Sequence, residues 1–175
     1  LAEPGMEVIY PNPGFPIYES MIRFSGAKPV PMQLLEESGY HPDLNDLKKK
    51  INDKTSLIIL NSPENPCGSA LSADELKSIA DMVRPYPDLY VMADEIYKDI
   101  LYQGDHSSIA SLDDMQDRTI ILDGFSKSYA MTGWRLGYGI MPLELVPHIV
   151  KLAVNSVSCA ASFSPVIPLN ETLKP

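Results

Sequence analysis

Short uncharged runs alternate with stretches of helical periodicity along this chain. Val8-Ile9-Tyr10 is the first run, and it stops at the breaker cluster Pro11-Asn12-Pro13-Gly14. Pro16 to Phe24 then reads as a helix, with Ile17, Met21 and Phe24 spaced for one face. Pro29 to Leu34 reads as a strand. Pro42-Asp43-Leu44 opens a second helix, with Pro42 suited to its first turn and Leu44, Leu47 and Ile51 on one side. Lys48, Lys49 and Lys50 fall in its last turn, where cations suit the helix dipole, and read as a solvated helix end. Leu57 to Leu60 is a buried-type strand that runs into Asn61-Ser62-Pro63-Glu64-Asn65-Pro66-Cys67-Gly68, a loop dense in breakers. Ser72 and Glu75 form a capping box ahead of the stripe Leu76, Ile79, Ala80, Val83. Leu89 to Ala93 is the next strand and ends at Asp94. Thr119 to Leu122 is another and ends at the turn that carries Lys127. Leu136 to Met141 reads as a last strand, and Leu145 to Val154 as a last helix.

Repeated strand–helix–strand order with uncharged strands predicts an α/β domain. A mainly parallel sheet would lie between helical layers, a three-layer αβα arrangement. Such sheets bind ligands beyond the carboxyl ends of their strands. Three strands here end in polar loops, Asn61 to Gly68, Asp94 to Tyr97 and Gly124 to Lys127, and all three are expected at one edge. No internal repeat, low-complexity segment or interdomain linker interrupts the pattern.

Composition narrows the classes. The chain has 175 residues, 45% apolar and 21% charged, which are values of a globular domain. A net charge of −9 argues against a nucleic-acid or anionic-membrane partner, though not against a local basic pocket. Two cysteines, Cys67 and Cys159, make neither a disulfide framework nor a metal-ligand pattern, and fit a reducing, cytoplasmic setting. No run approaches the roughly 18 apolar residues that span a membrane. The first residues show no signal-peptide pattern, and the chain begins at Leu1 rather than at a methionine, so a processed, cut or partial chain is expected.

The chemistry concentrates after Leu122, in Asp123-Gly124-Phe125-Ser126-Lys127-Ser128-Tyr129-Ala130-Met131-Thr132-Gly133-Trp134-Arg135-Leu136-Gly137-Tyr138. A lysine that follows a buried-type strand directly is expected to be desolvated beside a cation. Those conditions favour the neutral amine that attacks aldehydes. Arg135 could hold a phosphate by bidentate bonds, or serve as a structural ion-pair partner. Ser126 and Ser128 add hydroxyl donors. Asp94 at a strand end could pair with a ring nitrogen or cap a helix. Tyr97 and Asn65 could reach a phenolic oxygen, or be packing and turn residues. Phe15 could stack on a planar ring or sit in the core.

Taken together these stretches resemble the class I/II aminotransferases of the fold-type I pyridoxal-phosphate enzymes. The resemblance rests on Asn61 to Gly68, Ala93-Asp94-Glu95-Ile96-Tyr97, and Ser126 to Tyr138, in family order and spacing, and runs from about residue 3 to about residue 164. It implies a partial cofactor-binding large domain over 1–164 and a divergent tail over 165–175. It implies pyridoxal 5'-phosphate as cofactor and an amino-group exchange between an amino acid and a 2-oxo acid. Lys127 would carry the internal aldimine and shuttle the proton. Asp94 would keep the pyridine nitrogen protonated, and Tyr97 and Asn65 would bond the phenolic oxygen. Arg135 and Ser126 would bind the phosphate, and Phe15 would stack on the ring. A homodimer is implied for the full-length enzyme. Two departures stand out. Gly124 occupies a position where many members carry a phosphate-binding serine, and Cys67 stands where threonine is commonest. The phosphate-cradle loop and the substrate-carboxylate arginine would lie outside this chain. Two other readings therefore stay open: a truncated non-catalytic form that binds only cofactor or a full-length partner, and a related pyridoxal-phosphate lyase.

Overall fold

The fold was obtained as a computed structural model, which describes residues 1–162. Both ends of the expected 165–175 tail, and its boundary at 164, lie outside the described residues.

Six strands form one sheet: β1 (Glu7–Asn12), β2 (Lys28–Gln33), β3 (Thr55–Asn61), β4 (Tyr90–Asp94), β5 (Thr119–Gly124) and β6 (Gly137–Ile140). Their order is β2-β1-β3-β4-β5-β6, with β1 to β5 parallel and β6 antiparallel to β5. The helices are α1 (Ile17–Phe24), α2 (Leu44–Lys50), α3 (Ala73–Val83) and α4 (Val146–Ser156). Among the described residues no helix is long and apolar enough to cross a membrane.

The pleat sorts the strands' side chains between two cores. On one face Ile9, Ile58, Leu60 and Val91 pack with Leu47 of α2 and with Leu76, Ile79 and Val83 of α3. On the other, Val8, Tyr10, Leu57 and Ile59 pack with Tyr18 and Ile22 of α1. Helices thus flank the sheet on both sides, and the three-layer α/β expectation holds. All seven residues of β3 are buried, which is why its sequence reads as an apolar run rather than an alternation.

Helix ends follow local chemistry. The Ser72 hydroxyl accepts the Glu75 N–H and the Glu75 carboxylate accepts the Ser72 N–H, so the capping box forms. Asp43 caps α2 by accepting from the Asn45 and Asp46 amides, which leaves Pro42 just outside the helix rather than in its first turn.

The apolar face read for α1 is overturned. Ile17, Met21 and Phe24 are exposed, Phe24 at 84%, while Tyr18 and Ile22 point inward. This short helix carries large side chains on both faces. The inward one is set by a polar contact of Tyr18 described below. Helix α4 is also uncovered, with Ile149, Val150, Leu152 and Val154 exposed.

Candidate active site

Strands β3, β4 and β5 are neighbours and parallel, so their carboxyl ends lie side by side. Asn61 and Asp94 are register partners at the ends of β3 and β4. The Asn61 amide donates to the Asp94 carbonyl at 2.9 Å, and its own Oδ1 accepts the Asn65 N–H at 2.9 Å. This ties the breaker-rich loop to the end of β4. The three polar loops meet as the sequence implied.

A cavity of about 170 Å3 opens there. Asn65, Asp94, Tyr97, Lys127 and Phe15 all line it, together with Tyr18, Asn61 and Ile96. Five of the seven residues picked from the sequence therefore share one wall. Ser126 and Arg135 are not among its lining residues. Ser126 is half-buried on the lysine turn. Arg135 is exposed, takes a left-handed backbone (φ 53°) and donates to the Thr132 carbonyl at 3.1 Å.

Within the cavity, the Asn65 amide donates to the Tyr97 hydroxyl at 3.1 Å. That bond occupies an acceptor position on the phenol and leaves its own proton to donate elsewhere. The Lys127 ammonium lies 5.6 Å from the centre of the Tyr97 ring, on its face. Lys127 itself is exposed, so the desolvation expected of it is absent: the turn that carries it borders an open cavity rather than a closed one. Phe15 packs edge-on against Tyr18, ring centres 5.9 Å apart, and leaves 45% of its surface free.

Sequence reasoning missed Tyr18. Its hydroxyl donates to Asp94 Oδ2 at 2.5 Å across 76 residues of sequence. Burial first, then the Asp94 charge, pushes the Tyr18 hydroxyl far above its ordinary pKa, so it stays a proton donor. Asp94 is also pushed up, chiefly by burial, with the Tyr18 hydrogen bond opposing that shift. Among the described residues Asp94 has no ion-pair partner. It is a half-buried carboxylate that lines the cavity, and a cation there would offset its partial desolvation. The signal that could have found Tyr18 is its pairing with Ile22 one turn on, the i, i+4 spacing of the true inner face.

Gly124 explains one departure from the family pattern. A Cβ at this position would sit 2.9 Å from both Gly137 Cα and Leu136 O, and 3.4 Å from Ile96 Cδ1. Here β5 and β6 approach too closely for a side chain. Gly124→Ser is therefore expected to push β6 outward and to destabilise the chain by about 1–3 kcal/mol. Thermal unfolding would read this as a lowered Tm, and an unchanged Tm would contradict the packing described.

Comparison with known proteins bears on what this cavity belongs to. The family model for aminotransferase class I and II matches residues 1–167. The chain belongs to the class I and II aminotransferases. It is similar to an aspartate aminotransferase of Pyrococcus abyssi, 41% identical over 160 residues, covering 91% of this chain and 41% of that protein. An aspartate aminotransferase of Musicola paradisiaca is 41% identical over 164 residues, covering 93% of this chain and 41% of its own length. The crystal structure of an aromatic aminotransferase from Pyrococcus horikoshii superposes with a TM-score of 0.89 at 41% identity, covering 94% of this chain and 44% of that one. The chain thus spans about two fifths of the length of the curated aminotransferases it matches. Family membership and the large-domain fold agree with the sequence reading.

Proposed function

We propose that the chain binds pyridoxal 5'-phosphate at this cavity and, within an aminotransferase, passes an amino group between an amino acid and a 2-oxo acid. The observation that carries this is the meeting of Lys127, Asp94, Asn65 and Tyr97 on one cavity at the ends of three adjacent parallel strands. The donor set suits the cofactor. Asp94 is a half-buried carboxylate with no ion-pair partner among the described residues, and a protonated ring nitrogen would supply one. When bound, the cofactor supplies an aldehyde that captures amino groups and a ring that accepts electrons from a substrate carbon.

The residues then divide the work. Asp94 would hold the proton on the ring nitrogen, with Tyr18 fixing the carboxylate's orientation through its 2.5 Å hydrogen bond. Tyr97 and Asn65 would donate toward the cofactor's phenolic oxygen, the phenol already held by the Asn65 amide. Phe15 would cover one face of the ring. Ser126 and Arg135 would bind the phosphate. Lys127 would hold the cofactor through its Nζ and, when free of it, would be the base that takes up and returns a proton beside the substrate carbon.

Named relatives act on different donors: aspartate aminotransferases, an aromatic-amino-acid aminotransferase of Thermococcus litoralis and an arginine–pyruvate transaminase of Pseudomonas aeruginosa. The reading therefore stops at the amino-acid and 2-oxo-acid classes. The test is to add pyridoxal phosphate to the chain, fix any adduct with borohydride and map the label by mass. Label on Lys127 with a visible absorption band is the expected result. Label spread over other lysines would overturn the reading.

A second reading keeps the cofactor but not the turnover. It is favoured by the coverage of about two fifths of the relatives, and by the uncovered apolar faces of α1 and α4, which suit contact with more protein. In this reading a full-length partner, as in a homodimer, would complete the substrate site. Sustained transamination by the chain alone would eliminate it.

A further inference from the structure

We propose that Asp123 is a positioning residue that fixes Tyr97 relative to Lys127, an inference that rests on the cofactor-site reading above. Asp123 lies near the end of β5, and its side chain is only 4% exposed. It lines no part of the cofactor cavity. Three segments nevertheless converge on its carboxylate. The Lys98 ammonium pairs with Oδ2 at 2.6 Å. The Tyr138 hydroxyl donates to the same oxygen at 2.5 Å. The Gly124 amide donates to Oδ1 at 2.7 Å.

Each partner belongs to a different part of the site's frame. Lys98 directly follows Tyr97, the phenol on the cavity wall. Gly124 is the last residue of β5 before the turn that bears Lys127. Tyr138 is on β6, and its ring also packs against Phe125 of that turn, centres 5.9 Å apart. A single carboxylate therefore ties the Tyr97 segment to the root of the Lys127 turn. The pairing also holds the Lys98 proton tightly, pushing its pKa up through the Asp123 hydrogen bond first.

Energetics argue for position rather than bulk stability. A buried ion pair seldom adds more than an apolar replacement would, because desolvation offsets the attraction. What it does supply is direction, since both charges must meet in one geometry. Besides the Lys127–Tyr97 ring contact, the Glu95 N–H donates to the Leu122 carbonyl at 2.9 Å, which holds the start of this segment to β5 but not its far end at Lys98. A drift of that segment by about 1 Å would be felt at the amine, where misplacement of that size costs about 100-fold.

The test uses the full chain with Lys98→Met, Lys98→Arg and Asp123→Asn. Lys98→Arg keeps the cation and is the variant least liable to unfold, whereas Lys98→Met leaves the Asp123 carboxylate without its partner, so thermal unfolding is followed for each and the rates are read at a temperature where all are folded. Two rates are measured: borohydride-fixed adduct formation with pyridoxal phosphate at Lys127, and acetylation of Lys127 by acetic anhydride without cofactor, using exposed Lys77 as internal standard. Lys98→Met and Asp123→Asn are expected to slow adduct formation about 10- to 100-fold and to change the acetylation ratio, with Lys98→Arg restoring both. In a Tyr97→Phe, Lys98→Met double variant the losses should not add, because the two act through one geometry. The proposal is overturned if Lys98→Met leaves both rates within about twofold of the parent, or if Lys98→Arg lowers them as much as Lys98→Met does. A parent chain that forms no adduct at Lys127 sinks the cofactor reading instead, and the acetylation ratio then decides the Asp123 proposal by itself.

Discussion

Lys127→Ala is expected to abolish the borohydride-fixed adduct with pyridoxal phosphate, while leaving the fold intact. The side chain is exposed, lies on a turn and joins neither core cluster, so its loss removes no packing. Its amine is the one cavity group able both to bond an aldehyde and to move a proton. Both roles go with it. Any amino exchange the chain catalyses should fall by about 10^2- to 10^4-fold, the usual share of a positioned acid–base group. Lys127→Arg keeps the cation over the Tyr97 ring but cannot lose its proton, and should be as inactive as alanine. Unfolding curves that superpose on the parent, with the adduct gone, are the expected pair of results. Adduct formation that survives Lys127→Ala would remove the residue from the chemistry.

Asp94→Asn should separate stability from chemistry. Burial raises the pKa of Asp94 in the folded chain. The folded state then binds this proton more tightly than the unfolded state does. Asp94 therefore adds stability below its unfolded pKa, about 4, and loses that contribution as pH rises through the higher folded value. At neutral pH its partly buried charge is a cost in the cofactor-free chain. Asparagine removes the charge and can still accept the Tyr18 hydroxyl. The expected result is a higher Tm at pH 7, by about 2–4 °C for each kcal/mol gained, with the gain vanishing near pH 4. Chemistry should move the other way. A carboxylate beside a ring nitrogen shifts the nitrogen's pKa by about 1–3 units, so its removal should cut the protonated fraction by about 10- to 1,000-fold. The cofactor's absorption spectrum against pH would show it. A variant less stable at pH 7 than the parent would contradict the cost assigned to Asp94.

Most of the fold was written in the apolar runs. Every strand named from sequence exists: β3, buried along its whole length, needs a continuous apolar run, while the exposed β6 was marked by its uncharged residues after the lysine turn. Helix α3 was legible to its cap, since the Ser72–Glu75 box is a local device. Helix α1 was misread because both of its faces are apolar and the choice between them is made by Asp94, 76 residues away. The same distance hid Tyr18 from the site. Lys127, Asp94, Asn65, Tyr97 and Phe15 could be found because strand ends mark the ligand edge of a parallel sheet. Asp123 and Lys98 could not, because an inward carboxylate and its ion pair leave no periodic trace. The openness around Lys127 was also illegible, since it depends on what surrounds the turn rather than on the turn.

The register between β3 and β4 has a practical side. Asn61 faces Asp94 only in the pairing observed, and a slip by one residue would send their side chains to opposite faces of the sheet. Misfolded chains could keep much of their secondary structure and their apolar burial, yet the cavity would not assemble. Retention on immobilised pyridoxal phosphate would then sort correctly threaded molecules from slipped ones in a refolding mixture. The ligand would act as a proofreader of strand alignment, a property that circular dichroism cannot report.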